Sequence, residues 1–302
     1  MLVRRWLDAA GIKDPVLREC YTVCARAALR ERGGVGWVGT LAAPPERRAH
    51  AAAMTMVILE ADDRVDTGPP EARLRRLDEW IDAWYAALES GGSSDPVLHA
   101  AAHACSTVFD SPPRALMEEC FAALRRSWEA TEFATYEDWQ TWATGSSGAS
   151  AVLIMSTWDA LGEAGQVGEG IVRGYGDAFQ MVDCLADLSE DLREGQLYLP
   201  LEDLDRFGVR REDLEAGRWT AATRELIAFE VARITSGLPA LLDSTRQHPW
   251  LHRYAPAFDT LTRALCSAVL AAGPSILRCV AVPPTGPMVQ AGLGLWRAAL
   301  AG

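Results

Sequence analysis

The sequence has little positive charge, and almost none of it comes from lysine. Lys13 is the only lysine among 29 basic residues, whereas 41 residues are acidic, so the formal net charge of the 302-residue chain is −12. A protein of this charge repels phosphate backbones unless it carries a local basic stripe, and the sequence contains no such stripe. We therefore expect no nucleic-acid partner.

The cysteines and histidines do not have the spacing of a metal site or of a disulfide framework. The seven cysteines are an odd number, and no two of them form a Cys-x-x-Cys pair. The five histidines include two i, i+4 pairs, but neither pair has the intervening glutamate of a zinc-hydrolase helix. We expect buried free thiols in a reducing compartment and no metal bound by histidine.

Long apolar runs and alternating β-branched residues are also missing. No segment is expected to reach the roughly 20 apolar residues of a membrane span, and the N-terminus lacks the apolar core of a signal peptide. Apolar residues instead recur every three to four positions, with abundant alanine and leucine. The helical period predicts an all-α protein. The expected absence of a membrane span and of a signal peptide predicts that it is soluble and cytoplasmic. Because no linker interrupts the helical pattern, we expect one helical domain over residues 1–302.

Prolines and glycines divide the chain into candidate helices, because proline interrupts a helix and Gly/Ser clusters form turns. One such predicted turn is Gly91-Gly92-Ser93-Ser94. The predicted helices lie near residues 14–32, 45–66, 71–90, 96–109, 113–131, 135–144, 148–163, 166–194, 219–246, 252–280 and 286–299.

Two predicted helices carry aspartates among apolar residues. Asp62 and Asp66 are one turn apart, and Asp183, Asp187 and Asp191 follow one another at i, i+4 and i+8. Like charges at this spacing repel by a few tenths of a kcal/mol per exposed pair, and by more when buried. Mg²⁺ would neutralise them, because it prefers carboxylate oxygens and completes its shell with water and phosphate. Two such helices facing each other would clamp a diphosphate leaving group, whereas the alternative places the aspartates on solvated faces.

The segment after the second aspartate group reads Arg193-Glu-Gly-Gln196-Leu-Tyr198-Leu-Pro200. Together with Asp62-Asp63-Arg-Val-Asp66 and the run from Gly176-Asp-Ala-Phe-Gln180 to Asp191, it resembles the squalene/phytoene synthase family. Members of that family join two allylic diphosphates head to head. The resemblance covers most of the chain and implies an all-α, isoprenoid-synthase-type helical bundle with a central active-site cavity.

The resemblance also implies roles for individual residues. The implied Mg²⁺ ligands are Asp62, Asp63, Asp66, Asp187 and Asp191. We expect Asp183 to assist them, because it stands where the family commonly has asparagine and adds negative charge to the metal-binding helix. The implied catalytic residues, which ionise the diphosphate, are Asp62, Asp66, Asp187 and Asp191. Implied substrate-binding residues are Gln180 and Tyr198 near the second motif and Trp37 in the aromatic segment near the start.

The sequence departs from the family where a second prenyl diphosphate would bind. Trp142 stands where the family has a tyrosine, and an indole cannot do the acid–base work of a phenol. Ser127 lies where the family has a carboxylate. Arginines of the family are replaced by Leu59, Ala186 and Gln196. Each lost guanidinium removes a phosphate contact of roughly 1.5–3 kcal/mol, which argues against a site for two diphosphates.

This pattern is similar to the phytoene-synthase-like prenyltransferases of bacterial secondary metabolism. These enzymes attach a short prenyl group, typically dimethylallyl, to an aromatic acceptor such as a carbazole. Trp128, Trp139 and Trp142 are the candidate walls of an acceptor site. We therefore expect a Mg²⁺-dependent prenyltransferase that uses an allylic diphosphate and an aromatic acceptor.

Two alternatives remain open at the level of sequence. One is a head-to-head squalene or phytoene synthase, which would convert a C15 or C20 diphosphate alone to a hydrocarbon. The other is a non-catalytic helical protein that binds prenyl lipids or a partner subunit, and it would release no diphosphate. The sequence does not predict which aromatic compound is the acceptor, which of its positions is prenylated, or the oligomeric state.

Overall fold

In the described residues the chain is almost entirely helical, with one pair of very short strands. The computed structural model describes residues 2–30, 40, 42–158, 161–282 and 285–300. The first elements are α1 (Leu2–Ala9), α2 (Pro15–Ala28), α3 (Arg48–Asp66), α4 (Arg73–Ser90), α5 (Pro96–Val108), α6 (Arg114–Glu129), β1 (Glu132–Phe133), α7 (Tyr136–Ala143) and α8 (Ala149–Ser156). The later elements are α9 (Leu161–Ala186), α10 (Leu188–Arg193), β2 (Leu197–Pro200), α11 (Leu201–Phe207), α12 (Arg211–Glu215), α13 (Ala221–Ser244), α14 (Pro249–Ala272) and α15 (Thr285–Leu300). The prediction of an all-α protein is confirmed.

The helices cluster into two compact units. The first unit comprises Met1–Trp128, Ala149–Glu169 and Leu295–Gly302, and the second comprises Glu129–Gly148 and Gly170–Gly294. The first aspartate motif therefore belongs to the first unit and the second motif to the second unit. That the whole chain forms one domain stays a prediction.

Helices α2 and α5 begin at the same kind of sequence signal, an aspartate followed by proline. The Asp14 side chain accepts a hydrogen bond from the backbone N–H of Leu17, at 2.9 Å. The Asp95 side chain accepts from Val97 and Leu98, at 2.8 and 3.2 Å. The carboxylates satisfy N–H groups that have no partner within the helix, and proline at the first helical position loses no hydrogen bond. Local chemistry thus sets where both helices begin.

Helix α3 forms the centre of the first unit. Residues 48–57 are all buried, and four of them are alanines, whose small side chains let α2, α4 and α5 approach closely. A helix that is apolar all round is stable only inside a core. The helix leaves the core in its last two turns, where Asp62, Asp63 and Asp66 follow. The core therefore presents the first aspartate motif at the end of its most buried helix.

A polar cluster lies within this unit, on α2, α3 and α5. The hydroxyl of Tyr21 is 2.9 Å from Nδ1 of both His50 and His103. His50 is only 2% exposed, and its ring stacks on that of His103 at 6.2 Å. A hydroxyl can donate one hydrogen bond and accept another, so two neutral histidines of opposite tautomer satisfy it. Burial, with the positive charge of Arg47 and the neighbouring histidine, lowers the pKa of His50 to about 4.

This cluster predicts a loss of stability in acid. His50 titrates near 6.5 when unfolded and near 4 when folded, so the unfolded chain binds more protons between these values. The contribution of neutral His50 to the free energy of unfolding is therefore fully present above pH 6.5. It is lost as the pH falls towards 4, by up to about 3 kcal/mol. Urea unfolding at pH 7 and pH 4.5 measures this loss, and it should be smaller in His50→Gln. Equal losses in the two proteins would contradict the assignment.

In the second unit, the chain around the second aspartate motif is broken into shorter pieces. The predicted helix over 166–194 is interrupted at Asp187, with φ −96° and ψ 5°, between α9 and α10. The next segment is strand β2, which pairs in parallel with β1, so that Glu132 faces Leu197 and Phe133 faces Pro200. The pairing places the Tyr198 segment beside the start of α7. Only a contact between residues more than sixty positions apart determines this arrangement.

Among the residues that the structure describes, one segment is apolar enough, by length and composition alone, to cross a membrane, although none was predicted. It is Pro249–Leu277, which comprises α14 and the 3₁₀ turn after it. Somewhat less than half of its most apolar window is buried. The core helix of a soluble protein meets the same criterion, so a single such helix carries little weight. The cellular location stays a prediction.

All seven cysteines lie in the described part of the chain, and none of them forms a disulfide. Six are buried and Cys279 is exposed. Burial raises the pKa of the Cys24 thiol to about 12, so this group stays protonated and unreactive at neutral pH. The prediction of buried thiols is confirmed for all but Cys279.

Candidate active site

The first aspartate motif lies at the end of α3. Asp62 is half-buried, whereas Asp63 and Asp66 are exposed. Asp62 and Asp66 are one helical turn apart, so their side chains leave the same face of the helix. Both carboxylates are open enough to exchange water for a ligand.

The backbone at this end of α3 is held in place by polar side chains. Thr67 donates a hydrogen bond from its backbone N–H to the carbonyl of Asp63, at 3.0 Å, and a second from its hydroxyl, at 2.7 Å. Arg73 donates to the carbonyls of Val65 and Gly68, at 3.1 and 3.2 Å. These bonds satisfy carbonyls that a helix end leaves without a partner, and a cation is favourable at that end. The aspartate-bearing turn is therefore fixed before any ligand binds.

Arg64, within the first motif, has partners inside the protein. Its guanidinium lies 3.9 Å from the ring centroid of Trp80 and 2.9 Å from the carboxylate of Glu60. The indole N–H of Trp80 donates to the carbonyl of Val57, at 3.1 Å. No role for Arg64 was predicted from the sequence. In the structure, its contact with Trp80 joins α3 to α4.

The second motif spans the break between α9 and α10. Asp183 is exposed, and Asp187 and Asp191 are half-buried. Burial raises the pKa of Asp187, and the negative charge of Glu190 raises it further. The carbonyl of Asp191 accepts a hydrogen bond from the N–H of Gln196, at 2.8 Å, which folds the chain back towards β2. A cation beside Asp187 would stabilise the ionised carboxylate and so offset the free energy needed to bury that charge.

The donor set suits Mg²⁺ bound together with a substrate. Within the described ranges, no three His, Cys, Asp or Glu side chains lie together in a way that could hold a metal ion by themselves. Mg²⁺ is commonly bound through one or two carboxylates, with water and phosphate oxygens completing six ligands. Exposed aspartates one turn apart fit that pattern, whereas a closed protein cage for a structural metal does not.

Gln180 on α9 contacts the π-helical turn Thr144–Gly148 that follows α7. The Ser147 hydroxyl donates to the side-chain oxygen of Gln180. The Thr144 hydroxyl contacts both carboxylate oxygens of Asp177, at 2.9 and 3.1 Å. Gln180, a predicted substrate-binding residue, is thus held by a hydroxyl in a π-helical turn, a feature common near functional sites.

Glycine is required where α9 crosses this turn. A Cβ atom on Gly176 would lie 2.8 Å from the Cα atom of Gly148 and 2.8 Å from the carbonyl oxygen of Ser147. Both atoms belong to backbone, which cannot move aside cheaply. The Gly176 of the second motif therefore permits direct backbone contact between α9 and the turn.

Five aromatic side chains of the second unit form a cluster on β1, α7 and β2. Trp142 stacks on Tyr198 with ring centroids 5.0 Å apart and planes 8° apart. Phe133 lies 5.1 Å from Trp142, and the edge of Trp139 meets Trp142 at 6.3 Å. Tyr136 stacks on Trp139 at 5.5 Å. The structure thus brings together three of the predicted substrate-binding residues, Trp139, Trp142 and Tyr198.

Burial within the cluster differs between its members. Trp139 is 1% exposed and Trp142 is 5% exposed, whereas Tyr198 is half-buried. The two tryptophans therefore form the base of the cluster, and Tyr198 is the accessible partner of the stack. The sequence predicted the tryptophans as walls but did not predict that Tyr198 covers a face of Trp142.

Of the two remaining predicted substrate-binding tryptophans, only Trp128 is among the described residues. Trp128 belongs to the first unit, and the guanidinium of Arg73 lies 4.8 Å from its ring centroid. That contact links it to the arginine that holds the end of α3. Trp37 lies outside the described residues.

Comparison with known proteins agrees with the motifs. The squalene/phytoene synthase family model matches residues 37–285. The bifunctional protein CrtB/UppS of Streptomyces coelicolor is 31% identical over 232 residues, which are 74% of this chain and 39% of that protein. The 15-cis-phytoene synthase of Synechocystis is 27% identical over 230 residues, which are 72% of this chain and 66% of that protein. The chain thus matches less than two thirds of the length of each of these two relatives.

A solved structure shows the same fold. The squalene synthase HpnC of Alicyclobacillus acidocaldarius superposes with a TM-score of 0.67 at 24% sequence identity, covering 89% of this chain and 95% of that one. The predicted isoprenoid-synthase-type helical fold is therefore confirmed. Because the family model matches most of its length, the chain belongs to the squalene/phytoene synthase family.

Proposed function

We propose that the chain is a Mg²⁺-dependent prenyltransferase that moves the prenyl group of a short allylic diphosphate to a carbon of an aromatic acceptor. The proposed donor is dimethylallyl diphosphate, and the proposed acceptor class is a flat tricycle such as a carbazole. The observation that supports this most is the stack of Trp142 on Tyr198, with ring centroids 5.0 Å apart. By the resemblance drawn from the sequence, Trp142 stands where the family has a tyrosine.

The six motif aspartates are the proposed Mg²⁺ ligands, namely Asp62, Asp63, Asp66, Asp183, Asp187 and Asp191. All six are exposed or half-buried. Bound Mg²⁺ would take up negative charge on the diphosphate leaving group. The carboxylates hold that cation, and the Thr67 and Arg73 contacts keep the first motif in one conformation. Gln180 and Tyr198 are proposed to contact the substrate.

The aromatic cluster is proposed to bind the acceptor. Tyr198 presents a half-buried ring on which a flat acceptor could stack, backed by Trp142 and Phe133. Aromatic faces also attract an allyl cation, by about 0.5–2 kcal/mol per ring. In the transfer, the allylic C–O bond breaks with its electrons leaving on the diphosphate, and a ring carbon bonds to the allyl carbon. The proton of that ring carbon passes to the departing diphosphate, which restores the aromatic ring.

Head-to-head synthesis is the second candidate, and the names of the matched relatives favour it. Against it stand the residues that replace the family's arginines, Leu59, Ala186 and Gln196, none of which carries charge. Ala186 and Gln196 are also buried. Such positions offer no cation to a second diphosphate. The non-catalytic alternative predicts no diphosphate release with any substrate.

A product assay separates the three functions. The purified chain is incubated with Mg²⁺ and C5, C10, C15 or C20 allylic diphosphate, with and without a hydroxylated carbazole, and products are identified by mass spectrometry. A prenylated carbazole from the C5 donor is the expected result. Efficient conversion of C15 or C20 diphosphate alone to a C30 or C40 hydrocarbon would overturn the proposal in favour of head-to-head synthesis. No diphosphate release under any condition would overturn both enzymatic functions.

A further inference from the structure

Helix α7 has a polar face in addition to its aromatic one. Tyr136, Gln140 and the C-cap residue Thr144 recur at i, i+4 and i+8, whereas Trp142 projects from the opposite side. Trp142 packs within the aromatic cluster, whereas the residues of the polar face contact other helices. Tyr136 does both, because its ring also stacks on Trp139. Anything that fixes the polar face therefore also fixes the orientation of Trp142.

Arg233 of α13 holds the first residue of this face. Its guanidinium carbon lies 4.1 Å from the ring centroid of Tyr136 and 4.7 Å from that of Phe229. Arg233 donates to the carboxylates of Asp203 on α11, at 2.7 Å, and Glu230 on its own helix, at 2.6 Å. Because both carboxyl groups accept hydrogen bonds from it, the guanidinium is held in an orientation that faces the Tyr136 ring.

Two further contacts hold α7 to its neighbours. The backbone N–H of Tyr136 donates to Glu202 of α11, at 2.7 Å. Gln140 and Thr144 both hydrogen-bond Asp177 of α9. The polar face is therefore held along its whole length by α9, α11 and α13.

The cluster around Arg233 contains more acid than base. Glu230 is 0% exposed and Asp203 is 3% exposed, and together they face a single guanidinium. Burial raises the pKa of Glu230, the positive charge of Arg233 lowers it, and the charge of Asp203 raises it. Ionised Glu230 would therefore place a buried negative charge beside the carboxyl of Asp203, and a rising pH favours that ionised form.

The charged and titratable groups around Tyr136 are Arg233, Asp177, Glu230, Asp203 and Glu202, the last of which accepts from its backbone N–H. Burial raises the pKa of Tyr136 above its usual value of 10, so the phenol stays neutral where Glu230 titrates. Glu230 is therefore the acid of the Arg233 cluster whose protonated form burial favours.

We propose that Arg233, held by Asp203 and Glu230, is a positioning residue that sets the orientation of α7, so that it governs acceptor binding and not diphosphate ionisation. The inference rests on the proposed function, because it assigns the acceptor to the Trp142–Tyr198 stack. When Glu230 ionises, two negatively charged carboxylates attract the guanidinium of Arg233, and its contact with the Tyr136 ring weakens. Coupling to the acceptor is then lost while release of diphosphate continues.

Three variants test the inference. Glu230→Gln keeps the shape of the side chain and is neutral at every pH. Glu230→Leu removes one of the two carboxyl partners of Arg233 and leaves Asp203. Glu225→Gln is the matched control, because Glu225 is exposed on the same helix. Each protein is assayed at pH 7 and pH 9 for total diphosphate released, for the ratio of prenylated acceptor to free prenyl alcohol, and for the KM of the acceptor.

In the wild type and in Glu225→Gln, the coupling ratio should fall between pH 7 and pH 9, because a rising pH favours the ionised form of Glu230. In Glu230→Gln the ratio should stay flat. In Glu230→Leu it should be low and the acceptor KM high at both pH values, with diphosphate release retained. If the wild type couples and Glu230→Gln has the same pH profile, the inference is overturned and the proposed function stands.

A spectroscopic measurement decides the matter if the wild type prenylates no acceptor, which would be a failure of the proposed function. The near-UV circular dichroism of stacked aromatic rings depends on their orientation. We expect this signal to change between pH 7 and pH 9 in the wild type and in Glu225→Gln but not in Glu230→Gln. Identical pH responses in the wild type and Glu230→Gln would overturn the positioning role independently of any product.

Discussion

Asp62→Asn and Asp187→Asn are each expected to lower Mg²⁺-dependent diphosphate release by roughly 100- to 1,000-fold. Each substitution keeps the shape of the side chain and removes the negative charge that would bind the cation. Both positions are half-buried, and burial already raises the pKa of Asp187, so a neutral amide there costs the fold little. The rate of diphosphate release from dimethylallyl diphosphate measures the effect.

The control for this pair is Asp205→Asn, which removes an exposed carboxylate of α11 outside both motifs. Its release rate should equal that of the wild type, and circular dichroism should report the same helix content in all three variants. EDTA should abolish release in the wild type. Near-wild-type turnover in either motif variant, or indifference to EDTA, would refute the assignment of the aspartates to Mg²⁺.

Trp142→Ala is expected to lower the ratio of prenylated acceptor to released diphosphate by at least about tenfold, a loss of roughly 1.4 kcal/mol or more in coupling. The indole supports Tyr198 from behind, and without it the tyrosine ring loses its stacking partner. Ionisation depends on the aspartates and should change less. The measurement is the product ratio at saturating donor and varied acceptor.

Because Trp142 is only 5% exposed, Trp142→Ala also removes core volume and costs about 3–5 kcal/mol of stability. Trp142→Phe is the paired variant, since it keeps an aromatic face against Tyr198 and should restore most of the coupling. Trp142→Tyr should not create squalene or phytoene synthase activity, because the positions of Leu59, Ala186 and Gln196 remain uncharged. Equal losses of ionisation and coupling in Trp142→Ala and Trp142→Phe would show that the stack is not an acceptor site.

Local sequence signals predicted several helices well. The predicted helix over 96–109 is α5, Pro96–Val108, and the predicted helix over 135–144 is α7, Tyr136–Ala143. In both cases a capping side chain precedes the helix, Asp95 in one and Thr135 in the other. A cap acts within three residues, so a sequence is enough to locate it.

Other elements were missed because they depend on distant contacts. Helix α1 has only eight residues, and such a short helix is stable only when packing holds Trp6 and Leu7 in the core. Helices α11 and α12 and the β1–β2 pair were not predicted for the same reason. The interruption at Asp187 was also unforeseen, since the apolar period continues through it.

By itself, the sequence determined the helical class, the two aspartate motifs and the resemblance to the family, because periodicity and motif spacing are local properties. Only the tertiary structure decided that Tyr198 covers Trp142, and that Asp203, Glu230 and Arg233 form one buried cluster. Acidic and basic residues on a helix look solvated in a sequence. Their burial depends on which helices pack against them, and that packing is a property of the whole fold.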